Sequence, residues 1–149
     1  MKINKLIVIL ITFSFMSCRN TTEDKYVEVF YNHAPGAKLP MTLYCKCELT
    51  DTPKKQFENY FTISGDSLVA FLKHYEKLQP SDSKDSINAA VFILFHNSET
   101  TDTICAGYDG RLKMNSRYIK KNPEFTREVM ALVAQHHSQI MANKFRKQP

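Results

Sequence analysis

The chain predicts an α+β fold: an antiparallel sheet of five or six strands packed against two helices on one face. Three observations predict it. Alternating or wholly apolar runs recur at residues 26–31, 41–49, 57–63, 89–95, 101–108 and 111–115, each of strand length. Residues 68–78 and 125–140 instead carry apolar side chains at three- and four-residue spacing, the stripe of a helix that buries one side. Two such helices covering a single sheet face form the economical two-layer solution, which leaves the opposite face wet.

Taken in order, residues 26–31 alternate around β-branched and aromatic residues, and His33-Ala34-Pro35-Gly36 turns the chain. In residues 41–49, Met41, Leu43, Cys45, Cys47 and Leu49 share one parity, against Thr42, Tyr44, Lys46 and Glu48 on the other. That pattern predicts a strand with one wet face. Asp51-Thr52-Pro53 breaks it, and residues 57–63 offer a third strand. Ser64 and Asp66 are capping candidates for a helix whose stripe is Leu68, Phe71, Leu72, Tyr75 and Leu78, stopped by Pro80.

The run at 89–95 is apolar throughout, which predicts a central strand covered on both faces or nearly so. Asn97-Ser98-Glu99 leads into the strand at 101–108, with Ile104, Ala106 and Tyr108 as its inward set. Asp109-Gly110 is the strongest hairpin signal in the chain. The strand that follows points Leu112 and Met114 inward, Arg111 and Lys113 outward. The last helix opens with Asn122 as cap and Pro123 in its first position, where the missing N–H does no harm. Its buried stripe is Phe125, Val129, Leu132, Val133, His136 and Ile140, and Lys144, Arg146 and Lys147 complement the negative end of its dipole. The order of three strands, helix, three strands, helix suggests two similar halves.

The 149 residues are 43% hydrophobic and 23% charged, which suits one domain and excludes a disordered or fibrous chain. None of the four glycines sits in a phosphate-cradling loop, so the nucleotide-binding fingerprints are absent. Lys2 and Lys5 form a positive n-region before residues 6–16, an uncharged run interrupted only by Thr12 and Ser14. As a helix that run spans roughly 17 Å, too short for the ~30 Å hydrocarbon core. It reads as the h-region of an export signal.

Where the h-region ends, Phe15-Met16-Ser17-Cys18 resembles the lipobox of bacterial lipoproteins. Ser17 and Cys18 match that pattern, while Phe15 and Met16 depart from the usual Leu and small or β-branched residue. The resemblance implies a diacylglyceryl group on the Cys18 thiol and cleavage before it, with acyl chains holding the protein at a membrane. Residues 1–17 are then a signal peptide, 18–25 a tether and 26–149 a single domain. Removing the signal leaves 132 residues and takes two of the 20 Lys+Arg, so 18 cations face 15 acids and the net charge falls from +5 to +3. The domain broadly resembles small envelope lipoproteins of unknown function, which places the chain in the bacterial cell envelope.

Lipidation of Cys18 leaves three cysteines. Cys45, Cys47 and Cys105 are candidates for a disulfide or a cluster of buried thiols, although Cys105 shares parity with Thr101 and Thr103 and so faces away from the inward set. Cys45 and Cys47 with a His would be the soft-ligand core of a metal carrier, but no second Cys pair or His-x-x-x-His completes a set. Of the five His, His136 lies on the apolar helix stripe and reads as a hydrogen-bonded core residue. Ser98, His96 and Asp102 lack the context of a nucleophilic site and read as turn residues. Arg111, Lys113, Arg117, Lys120, Lys121 and Arg127 form a basic cluster near Tyr108 and Tyr118; export argues against nucleic acid as its partner. No catalytic residues, cofactor or resident metal are implied. The expectation is a membrane-tethered binding or inhibitory module of immunity type with a protein partner. An accessory subunit of an envelope assembly and a thiol-based metal carrier are the alternatives. Tyr44, Lys46, Arg111 and Lys113, on the face expected to be wet, are the candidate partner-binding residues.

Overall fold

Seven consecutive apolar residues, from Ala89 to Phe95, cannot meet water on either side, and they become the strand on which the molecule is built. In the computed structural model, which describes residues 25–35, 57–83 and 86–146, the elements are β1 (Tyr26–Tyr31), β2 (Asn59–Ile63), α1 (Gly65–Tyr75), β3 (Ala89–His96), β4 (Thr101–Gly107), β5 (Leu112–Met114), β6 (Arg117–Ile119) and α2 (Pro123–Arg146). The strand expected at 41–49 lies outside the described residues, as do the signal segment and residues 18–24 of the tether. The sheet has six strands in the order β2-β1-β3-β4-β5-β6, every neighbouring pair antiparallel. The α+β class, the antiparallel sheet and the two helices are as the sequence predicts.

Both helices pack on one face. Val27, Val29, Tyr31, Ile63, Val91, Ile93, Phe95, Ile104, Ala106, Leu112 and Ile119 from the sheet meet Leu68 and Phe71 of α1 and Phe125, Val129 and Val133 of α2 in a single buried cluster. Phe71 and Phe125 touch directly, ring centroids 5.4 Å apart. Each such fully buried side chain contributes roughly 1.5–3 kcal/mol of transfer free energy. Asn122 caps α2 as expected, its side-chain oxygen accepting from the Phe125 N–H at 3.0 Å. Ser64 takes the N-cap position of α1 without a side-chain bond, and Asp66 supplies the acid in the first turn.

The chain enters the sheet at Tyr26. Tyr26, His96 and Thr101 form the cross-strand row at this end. Tyr31, Val91, Ala106, Leu112 and Ile119 form the row at the other end. Five strand steps, about 17 Å, separate the two rows. Asp109-Gly110 makes the β4–β5 turn at the far end, with Gly107 N–H donating to the Arg111 carbonyl at 2.9 Å and Gly110 at φ +79°.

Three expectations are corrected. The face opposite the helices is not wet: Phe30, Ile87, Ala89, Phe92, Leu94 and Cys105 form a second buried cluster there, with Phe57 and Tyr118 packed against it. The hydrophobic residues of β1 and β3 occupy both parities, so one helical layer cannot cover them all. Second, residues 117–119, outside the six strands expected, form β6, because Asn115 and Ser116 (φ 47° and 66°) make a two-residue turn with both positions left-handed. The group after α1 thus has four strands, β3 to β6, where three are expected. Third, Tyr108 is not inward; it lies in the far turn, 40% exposed.

Beyond β6, Pro80 bridges Ile119, the Ser81 N–H donates to the Tyr118 carbonyl at 2.9 Å, and the Lys120 N–H donates to the Gln79 carbonyl at 2.8 Å. This stretch occupies the outer side of β6 with main-chain bonds.

Candidate functional site

One cross-strand row runs the full width of the second face: Tyr60, Phe30, Phe92, Cys105, Lys113 and Tyr118 pair successively from β2 to β6. Its centre is apolar. Phe30 packs on Phe92 with centroids 6.2 Å apart, and Phe57 stacks on Phe92 at 5.9 Å. Toward β6 the row changes character, with the Lys113 ammonium 5.4 Å from the centre of the Tyr118 ring, within cation–π range.

Arg111 sits just before Lys113 on the same parity, at the far end of the sheet. Its guanidinium pairs with the Asp109 carboxylate through Nε and donates from Nη1 to the Ser86 carbonyl at 2.7 Å. Burial alone would raise the Asp109 carboxyl. Hydrogen bonds from the Arg111 backbone and guanidinium, with the charges of Arg111 and Lys121, outweigh it and hold the group below its ordinary value. Because the Gln79–Ser81 stretch folds back along β6, Ser81 and Ser83 are brought opposite Arg111, Tyr118 and Lys121. Together with Ile87, Leu112 and Ile119 these residues line a cavity of about 100 Å³. Lys120 extends the corner and donates to the Gln79 side chain at 3.2 Å.

The corner is electrically lopsided. Residues 111–127 hold six cations and one acid, Glu124. Among the described residues, Asp109 is the only carboxylate in an ion pair with any of the six. The expectation for Arg111 and Lys113 therefore gains two neighbours, Tyr118 and Lys121, which the sequence places in the basic cluster without singling them out. The missing signal was topological, since it took β6 and the returning Gln79–Ser81 stretch to gather them. Tyr44 and Lys46 lie outside the described residues, as do Cys18, Cys45 and Cys47.

Cys105 is fully buried and disulfide-bonded, with its partner sulfur outside the described residues. Its expected outward parity holds, but the face it points to is closed. Being oxidised, it offers no thiolate to a metal ion. Among the described residues no cluster of His, Cys, Asp and Glu has the geometry of a metal site.

The remaining candidates are separated by the fold. His96 faces Glu28, with Nε2 3.1 Å from Oε2, and its Nδ1 lies 3.0 Å from the Thr101 hydroxyl, while Tyr26 stacks on the ring at 4.4 Å. Asp102, on the opposite parity, accepts from the Tyr75 hydroxyl and from the Asn115 amide. Ser98 lines a separate surface hollow of about 290 Å³ with Tyr75 and Glu99. His96 and Asp102 thus serve different faces of the sheet and do not form a relay. His136 is hydrogen-bonded as expected, joined to Tyr31 at 2.9 Å, but it is half-buried at the margin of the core rather than within it.

No protein-family model, curated protein or solved structure matches the chain.

Proposed function

We propose that the chain is a lipid-anchored, non-catalytic module of a bacterial envelope that binds a protein partner and, in an immunity-type role, inhibits it. The anchor follows from the short h-region ending in Ser17-Cys18. Binding is supported above all by the basic corner, where Lys113 lies over the Tyr118 ring, Lys121 lines the adjacent cavity and Asp109 is the carboxylate that pairs with Arg111. An isolated charge excess of this kind disfavours the free molecule through self-repulsion and is relieved when an acidic surface meets it.

Two measurements test the reading. Cys18→Ala should move the protein from the membrane fraction to the soluble fraction, and retention at the membrane would overturn the anchor. Deletion of the gene should be lethal only in cells that carry a neighbouring toxin-like reading frame. Equal growth with and without that neighbour would remove the inhibitory role, and co-purification with an envelope complex would then favour an accessory subunit.

A further inference from the structure

We propose that Asp109-Gly110, in the β4–β5 turn, is a latent site of isoaspartate formation, and that Arg111 is the positioning residue that holds it unreacted in the folded protein. This chemistry needs neither the lipid anchor nor a partner.

The sequence supplies the reactive pair. Of the four glycines only Gly110 follows an Asp or Asn; the others follow Pro35, Ser64 and Ala106. A glycine carries no Cβ to crowd its own amide, so in a free chain the Gly110 nitrogen can reach Cγ of Asp109. There it attacks the protonated carboxyl. A C–N bond forms to close a succinimide, the C–O bond to the hydroxyl breaks, and the amide proton leaves with that hydroxyl as water. A second water then opens the ring at the former main-chain carbonyl. The backbone afterwards runs through Cβ and Cγ of Asp109, one methylene longer, with the free carboxylate on Cα. Water is the only co-reactant.

The folded turn restrains both partners in that step. Asp109 is exposed, and what holds its side chain is Arg111. Oδ1 accepts from the Arg111 backbone N–H at 3.1 Å, and Oδ2 accepts from Nε of the guanidinium. Two accepting oxygens suit the carboxylate, whereas the protonated acid would weaken or give up one of these bonds. Burial works the other way, but Arg111, with the charge of Lys121 from beyond β6, keeps the carboxyl below its ordinary value. Nη1 of Arg111 donates to the Ser86 carbonyl at 2.7 Å, which fixes the guanidinium against Asp109. The nucleophile is restrained as well: Gly110 is buried, its N–H donates to the Gly107 carbonyl at 3.2 Å, and its φ is +79°. Once isomerised, the turn would offer Arg111 a carboxylate on a different atom of a longer backbone. The guanidinium at the basic corner would lose the partner that orients it.

The test ages the purified protein in heavy-oxygen water and follows Asp109-Gly110 by peptide mass spectrometry, counting isoaspartyl product that has taken up one heavy oxygen. The free peptide of residues 108–113 serves as the unfolded reference. Native protein should react at least about tenfold more slowly than the peptide, and Arg111→Ala about tenfold faster than native protein. Arg127→Ala removes an exposed cation that does not act on Asp109 and should leave the rate within about twofold of native. Native protein that reacts as fast as the peptide, or Arg111→Ala that reacts no faster than native, would overturn the proposal. A variant that failed to fold would react quickly for a different reason, so native protein is also read across pH. Fewer of its Asp109 carboxyls are protonated at any given pH, so as pH falls its rate should begin to climb later than that of the peptide. Coincident pH profiles would remove Arg111 as the restraint.

Discussion

The hydroxyl of Tyr31 lies 2.9 Å from Nδ1 of His136, joining the far end of β1 to the middle of α2. Burial raises the phenol of Tyr31, so it remains protonated and donates, while His136 accepts as a neutral ring. Phe61 covers the imidazole with centroids 4.7 Å apart. Burial, and then the neighbouring His137, depress the His136 pKa. The unfolded chain therefore binds a proton here more readily than the folded one. The stability this group supplies is complete above about pH 6.5 and declines as pH falls from there toward the folded pKa.

Melting temperature should accordingly fall between about pH 7 and about pH 5.5, and His136→Gln should flatten that slope. Thermal unfolding of both proteins across the range checks it, and parallel slopes would count against His136 as the sensor. Tyr31→Phe, which removes the donor alone, should cost about 1 kcal/mol at neutral pH by denaturant unfolding.

Tyr75 ties α1 to the start of β4 through Asp102. Burial first, and then the hydrogen bond to Asp102 and its negative charge, push the phenol well above its ordinary range, keeping it a donor at all physiological pH values. Tyr75→Phe should cost about 1–2 kcal/mol. Asp102→Asn in the Tyr75→Phe background should cost less than it does alone, and additive urea midpoints would show that the two residues are not coupled.

Phe92 tests the closure of the second face. A side chain on a wet sheet face loses little when truncated, but Phe92 is packed between Phe30 and Phe57. Phe92→Ala should cost about 3 kcal/mol or more, comparable to Phe71→Ala on the helix face. A loss below about 0.5 kcal/mol, the range of ordinary surface changes, would return that face to solvent.

Cys105 should resist alkylation in the denatured, non-reduced protein and become fully labelled after reduction, as read by peptide mass spectrometry. Labelling before reduction would show a free thiol. Cys105→Ala should also lower stability, since the bridge restricts the unfolded chain, by about 2–4 kcal/mol.

Much of this architecture is legible in the sequence where local pattern and tertiary environment agree. The apolar run ending at Phe95, the Asn122 cap and the Asp109-Gly110 turn each state their own structure. The stripe of α2 likewise names Phe125, Val129 and Val133, all buried. The second face was harder because parity shows which side a residue faces but not what covers that side. Cys105 was placed on the correct face by its spacing from Thr103, yet its burial depends on Phe30, Phe92 and Phe57 from elsewhere in the chain. Strand β6 was missed because Ser116 has no strong preference for the left-handed conformation it adopts. The basic corner was half legible: the charges are adjacent in sequence, but Ser81 and Ser83 reach it only through the pairing of Pro80 with Ile119.

That pairing has a consequence for recognition. With Gln79–Ser81 bonded along β6, an incoming chain cannot extend the sheet on this side by adding a strand of its own, a mode that accepts many sequences because it reads only backbone. Contact at this corner must instead be made through side chains at set positions. Discrimination between partners then depends on where their charges fall, and a rearranged spacing of the same acids should be refused.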